Sequence, residues 1–454
     1  MRRWIAGLVV ASGLFTSIIT QAAAPSDAVH WVTGWAASAH GPYPVGNPSA
    51  QPEQKFAFPN PATGAEDQTF RLIVRPELWG PRARLRFSNA FGTTPLAIDS
   101  VSVALQTYAG NVARGSARTV TFGGKPSVSI GAGRMLWSDA VDLPFARGDA
   151  AAMRGRKLAV SFHVAGPSGP MTWHAKALQT SYVTAPHAGV HSRDEDDNAF
   201  PYSTASWFFL DALDMSAPAG TAVVVCFGDS ITDGTASTMN GDDRWPDVFA
   251  QRLRARYGDR LVVINAGIGG NRVVGPADYA DKPIGGGPGA LDRLDRDVLS
   301  LSGVRHVIWM EGINDYGAAG TAVDTVTTGF REGVARLKAK GIRVVGATLT
   351  SALHSTIATH GTDEVDARRK ATNDFIRSAG VFDAVADFDA ATIDTASGEI
   401  KLDMQPNSTI GGAGDKLHPN RAGYAAMARA IDLALFAPAA APAKAVAAKK
   451  AAKP

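Results

Sequence analysis

The hydrophobic pattern of this 454-residue chain changes its period once, near residue 220, and that change limits the fold more than any other feature. From Val29 to Met215 polar and apolar residues alternate, as in Arg82-Ala83-Arg84-Leu85-Arg86-Phe87, where three arginines face one way and Ala83, Leu85 and Phe87 the other. Period two means half-buried strands. Val101, Val103 and Leu105 repeat it, as do Leu158, Val160, Phe162 and Val164, and turn sequences such as 92–95, 123–126 and 166–170 separate the runs. An all-β sandwich or jelly roll over 29–215 is therefore expected.

From Thr221 the apolar residues form solid runs at 221–227, 260–266, 304–310, 342–349 and 383–388, the pattern of strands buried on both faces. Between them Trp245, Phe249, Leu253 and Tyr257 recur every fourth residue, and Val326, Phe330, Val334 and Leu337 at four, four and three, so each set lines one face of a helix. Five alternations of strand and helix predict a doubly wound, five-stranded parallel sheet over 221–436, an α/β fold of the flavodoxin-like three-layer kind. A last helix is expected after Pro419, with Tyr424, Met427, Ile431 and Leu435 on one face.

Composition narrows the setting. At 45% hydrophobic and 19% charged residues the chain can build full-sized cores, and its length suits two domains. Its formal charge of +3 owes its sign to the two ends, because Arg2 and Arg3 open the chain and Lys444, Lys449, Lys450 and Lys453 close it. The body between is slightly acidic and offers no footprint for a phosphate backbone, which argues against nucleic acid as a partner. Residues 1–24 read as a cleaved export signal: two arginines, an apolar run from Trp4 to about Ile19, then Ala22, Ala23 and Ala24 ahead of Pro25. A periplasmic or extracellular protein without stable membrane insertion follows. Residues 437–454 are Ala, Pro, Lys and Val only, the composition of a solvated tail. The single cysteine, Cys226, lies inside the first solid run and reads as a buried hydrophobe.

In an open parallel sheet the working residues lie beyond the carboxyl ends of the strands. The first run leads into Gly228-Asp229-Ser230-Ile231-Thr232, the second into Ala266-Gly267-Ile268-Gly269-Gly270-Asn271, and the third into Glu311-Gly312-Ile313-Asn314-Asp315. After the fifth, a long loop reaches Asp415-Lys416-Leu417-His418-Pro419-Asn420. All four segments belong at one edge of the sheet.

These blocks resemble those of the SGNH hydrolases, also called the GDSL esterase/lipase family. Its four lettered residues fall on Ser230, Gly270, Asn314 and His418, the aspartate three residues before the histidine is Asp415, and Ile231 stands where the family name has Leu. The resemblance covers about 221–436. The N-terminal half is similar to the β-rich part of a secreted bacterial and fungal subgroup in which a segment like Arg86-Phe87-Ser88-Asn89-Ala90-Phe91-Gly92 precedes the hydrolase domain. A serine carboxylic-ester hydrolase is implied, acting on substrates that range from acetylated sugars to aryl esters, lysophospholipids and thioesters.

The residue chemistry agrees. Ser230 needs a base to become nucleophilic, His418 is the candidate base, and Asp415 can fix its tautomer and stabilise the imidazolium. Charge that develops on the substrate oxygen needs donors, and the backbone N–H groups of Ser230 and Gly270 with the Asn314 amide can supply them. No cofactor and no metal is called for; the substrate is a small-molecule or polysaccharide-linked ester, with short acyl groups favoured. A binding protein built on an inactive hydrolase scaffold is the rival from another class.

Other polar residues have plainer readings. Asp229 and Asp233 suit turn and helix-start acceptors, Asn271 a loop hydrogen bond, and Asp242 and Asp243 solvated charges. His174, beside Trp173 in an alternating strand, has no paired acid in view. The β-rich half could bind carbohydrate or wall the acyl pocket, with residues 88–92 as a candidate contact loop.

Overall fold

The computed structural model describes residues 29–48, 54–148, 150–406 and 414–438. The expected export segment, and the expected tail from residue 439 on, lie outside them.

Besides a two-stranded sheet, Trp173–His174 with Trp207–Phe208, the alternating half forms two large antiparallel sheets. One runs in the order Trp31–Ala36, Leu210–Ser216, Arg82–Ser88, Met135–Trp137, with Val141–Asp142 also on Arg82–Ser88. The other runs Tyr202–Thr204, Ser181–Val183, Gln68–Val74, Leu158–Val164, Leu96–Leu105, Arg118–Thr119, with Ser127–Ile130 also on Leu96–Leu105. Their inner faces meet through aromatic rings: Phe87 of the first sheet stands edge-on to Phe162 of the second at 5.2 Å, and Phe162 stacks on Phe70 at 5.2 Å. Ala83, Leu85 and Phe87 point into this core as the alternation requires.

The arginine side of the same strand is not left to water. Arg86, 3% exposed, bonds Asp211 Oδ1 at 2.6 Å and Ser300 Oγ at 2.7 Å, while Arg84 bonds Asp214 Oδ2 at 2.7 Å and Ser302 Oγ at 3.2 Å. Ser300 and Ser302 precede the third strand of the parallel sheet. The polar face of a half-buried strand therefore becomes a contact face between the two halves of the chain.

The second half holds five parallel strands in the order Leu261–Gly267, Ala222–Gly228, Val304–Met310, Arg343–Ala347, Ala384–Ala386. In chain order this is 2-1-3-4-5, so the chain reverses its winding beside Ala222–Gly228, where a doubly wound sheet opens a crevice. Gly228 is in register with Gly267 on one side and Met310 on the other, which aligns three strand ends. Trp245, Phe249 and Leu253 are buried on helix Trp245–Tyr257, and Val326, Phe330, Val334 and Leu337 on helix Val323–Lys338. The last helix, Arg421–Ala430, is shorter than the pattern suggested. Ile431 caps it, and Leu435 belongs to a separate 3-10 turn, Leu433–Phe436, started by Asp432 Oδ1 accepting from Ala434 N at 2.9 Å. Among the described residues no helix is long and apolar enough to cross a membrane.

Candidate active site

Ser230 opens a four-residue helix, Ser230–Asp233, directly after the central strand. Asp229 starts that helix by accepting the Ile231 N–H at 3.0 Å, the turn role its position suggested. His418 arrives from the far end of the chain, on the loop ahead of Arg421–Ala430. Asn420 fixes that loop: its Oδ1 accepts the Ala422 and Gly423 N–H groups, and its amide donates to Asp403 O and Gln405 O.

The three residues form one line. Ser230 Oγ lies 2.8 Å from His418 Nε2, and His418 Nδ1 lies 2.5 Å from Asp415 Oδ2. A carboxylate can only accept from Nδ1, so Nδ1 carries the hydrogen and Nε2 is left to accept from the serine. Asp415 Oδ1 takes the N–H groups of Leu417 and His418, both at 2.9 Å. Burial opposes ionisation of Asp415, yet its bonds with His418 outweigh burial and hold its pKa at about 2. Its carbonyl is held in turn by Ser355 Oγ at 2.6 Å and Thr356 N at 3.1 Å.

Gly270 and Asn314 sit together at the same edge. Asn314 Nδ2 donates to Asn271 O, one residue past Gly270, at 3.0 Å, and Asp315 clasps the next stretch of that loop by accepting from Val273 N and Val274 N. Gly270 has φ +85°, and a Cβ there would lie 3.2 Å from Gly286 Cα, so both conformation and space call for glycine. Among the described residues neither the Ser230 nor the Gly270 N–H is taken by a protein acceptor. Asn271 is a loop brace, donating to Gly286 O at 2.6 Å and Pro288 O at 2.7 Å.

Several residues around the site carry no signal in the sequence. Arg293, fully buried, bonds Gly228 O, Ala266 O and Asn271 Oδ1, and so ties the first strand end to the second and to the loop after it. His360 meets Asn314 Oδ1 at 3.1 Å. His174, set aside for want of an acid, has one: its Nε2 lies 3.1 Å from Asp233 Oδ1, across the two halves of the chain. Asp242 and Asp243 are not free charges either. Asp242 pairs with Arg75 at 3.1 Å, and Asp243 accepts from Thr238 N and Oγ1. Such partners are set by packing between distant segments, which spacing along a chain does not reveal.

A serine, a histidine and an aspartate stand in hydrogen-bonded line at the carboxyl edge of the parallel sheet, the geometry that a nucleophilic serine requires. The model of the GDSL-like lipase/acylhydrolase family matches residues 226–426. Solved structures similar to this chain include a carbohydrate acetylesterase family member from Sinorhizobium meliloti, at 16% identity, covering 47% of this chain and 97% of that one with a TM-score of 0.36. An acetyl xylan esterase matches at 20% identity over 46% of this chain and 96% of its own, with a TM-score of 0.33. A GDSL-like lipase from Bacteroides thetaiotaomicron matches at 17% identity over 48% and 90%, with a TM-score of 0.35. Curated proteins gave no match. Residues 226–426 thus match a GDSL-like lipase/acylhydrolase domain, the SGNH hydrolase kind that the sequence blocks resemble.

Proposed function

We propose that this protein is an exported carboxylic-ester hydrolase that works through an acyl-enzyme on Ser230. The observation that carries the reading is the unbroken line from Ser230 Oγ through His418 to Asp415, at 2.8 and 2.5 Å. Ser230 Oγ attacks the ester carbon while His418 Nε2 takes the hydroxyl proton; the carbonyl π electrons move onto oxygen. That oxyanion is held by the N–H groups of Ser230 and Gly270 and by Asn314 Nδ2. Collapse breaks the bond to the alcohol oxygen, which leaves with the proton from His418. Water then attacks the acyl-serine with His418 again as base, releasing the acid and restoring Ser230.

In this reading the substrate is a short acyl ester on a polar alcohol, acetylated carbohydrate above all. The export-like leader supports that choice over long-chain lipid. No cofactor or metal enters the steps, and the 29–215 and 221–436 regions act as accessory and hydrolase domains. Hydrolysis of p-nitrophenyl acetate, butyrate and a long-chain ester, beside Ser230→Ala, tests the proposal. Turnover that falls with chain length and vanishes in the variant supports it; turnover that survives in the variant overturns it. Inactivity of both on these esters and on acetylated xylan favours the binding-protein reading.

A further inference from the structure

The N-terminal half sends two cationic side chains, His174 and Lys176, under the loop that carries Gly270. His174 is 4% exposed, and its two ring nitrogens face groups that can only accept: Ser38 O at 2.7 Å from Nδ1 and Asp233 Oδ1 at 3.1 Å from Nε2. Both nitrogens must then carry hydrogen, so the ring is an imidazolium paired with a buried carboxylate. Burial opposes the charge, but Asp233 and the two hydrogen bonds outweigh it and raise the His174 pKa. Asp233 uses its second oxygen to accept the Gly269 N–H at 2.9 Å. Lys176, 2% exposed, donates to Thr235 Oγ1, and a Cβ on Gly269 would lie 2.7 Å from its Nζ. Thr235 N in turn bonds Ser230 O at 2.9 Å.

Resting on the hydrolase reading above, we infer that His174 is a positioning residue: through Asp233 it holds Gly269, and so sets the neighbouring Gly270 N–H that receives the oxyanion. The β-rich half is thereby part of the active site, not a detachable module. Neither His174 nor Asp233 has to touch substrate. Their geometry decides where the donor points before the substrate arrives, and a displacement of about 1 Å at such a donor can lower the rate about 100-fold. The groups facing His174 are the Asp233 carboxylate, the backbone of Ser38 and Lys176, the His40 ring at 5.8 Å and the Trp207 ring stacked at 5.7 Å. The Nε2–H bond goes to Asp233 Oδ1, at 3.1 Å.

Three variants of the full chain separate this role from general support. Asp233→Ala removes both bonds, Asp233→Asn keeps an acceptor for Gly269 N–H, and His174→Gln removes the cation. Kinetics on p-nitrophenyl acetate are read together with backbone amide exchange of residues 267–271. For Asp233→Ala, kcat is expected to fall about 100-fold with KM within about threefold, for Asp233→Asn about 10-fold or less, and for His174→Gln between the two. Amide exchange over 267–271 should quicken in the same order while that of 222–228 stays as in the wild type. His163→Gln is the control, since His163 is clasped between Asp67 and Asp99 within the other antiparallel sheet; its kcat should be unchanged. Wild-type kcat and loop protection in Asp233→Ala and His174→Gln overturn the inference, as does an equal loss of kcat in His163→Gln. If the wild type cleaves no ester, the hydrolase reading is what has failed, and amide exchange still decides whether His174 holds the loop.

Discussion

His360 Nε2 donates to Asn314 Oδ1 at 3.1 Å, and this bond decides which way the Asn314 amide faces. The opposite end of the amide gives one hydrogen to Asn271 O at 3.0 Å, which leaves the second Nδ2 hydrogen for an oxyanion. Thr359 Oγ1 lies 3.1 Å from His360 Nδ1 and can donate to it, so the neutral tautomer with hydrogen on Nε2 satisfies every partner. Burial and the neighbouring His418 lower the His360 pKa and keep it neutral. His360→Leu should lower kcat about 10-fold with little change in KM, and His360→Gln, which can still donate to Asn314, should recover most of it. Equal losses in the two variants would show that the amide is held by something else.

The oxyanion donors should be expensive to lose. Asn314→Ala removes one, with an expected fall in kcat of about 100- to 1,000-fold. Gly270→Ala should match it for a different reason: a methyl at φ +85° and 3.2 Å from Gly286 Cα forces the loop to shift and carries the N–H with it. Pre-steady-state acylation by p-nitrophenyl acetate measures both, and a drop confined to KM would remove these residues from the oxyanion site.

Arg293 should matter to stability more than any single core residue near the site. Its guanidinium faces Asp297 at 3.1 Å and Glu311 at 3.7 Å, lies 4.1 Å from the Phe227 ring centre and bonds two strand-end carbonyls, all without exposure. Arg293→Leu takes the facing cation from buried Glu311 and leaves Asp297 with Arg296 alone, and an unfolding free energy lower by about 3 kcal/mol is expected. Arg293→Lys should recover little, because an ammonium cannot span the same fork of acceptors. Urea denaturation of the three proteins reads this directly.

Glu311 gives the fold a pH dependence of known sign. Fully buried beyond the third strand, with Trp309 Nε1 on one oxygen and, among the described residues, no hydrogen bond on the other, which Arg293 faces at 3.7 Å, it is pushed up to about 8, chiefly by burial. A raised carboxyl pKa means that the folded state binds the extra proton. Its contribution to stability is therefore largest below the ordinary value of 4.5 and is lost progressively as pH climbs to 8. Glu311→Gln should flatten that slope and be the more stable protein at pH 8. Melting temperatures of the two proteins from pH 5 to 8 test it, and parallel curves would refute it.

Asp415 works in the opposite direction. Held at about 2, it keeps its charge through the whole working range, and the stability it contributes, present above the ordinary value of 3.8, is lost only as pH falls through 2. The acid limb of activity is then not set by Asp415. Asp415→Asn should keep the fold but lower kcat by about 10,000-fold, since a neutral amide can hold His418 in the wrong tautomer. A loss of less than about tenfold would take Asp415 out of the line.

Elements whose physics is local are legible in the residue order. Alternation at Arg82–Phe87 settles which side chains point inward, solid runs such as Val223–Phe227 settle a strand buried on both faces, and Gly-Asp-Ser and Asn314 just past such runs, with His418 ahead of the last helix, mark one edge of the sheet. Ser230 and His418 are 188 residues apart, yet each is placed by its own strand end or helix start, so their meeting was legible. Pairings between segments distant along the chain are set by packing instead. Arg84 and Arg86 find Ser302 and Ser300 and His174 finds Asp233 across the two halves, and His360 finds Asn314 within the second, all across separations that no periodicity encodes. A charge or donor leaves the water only if a partner waits where it lands, and that place exists only once the sheets have packed.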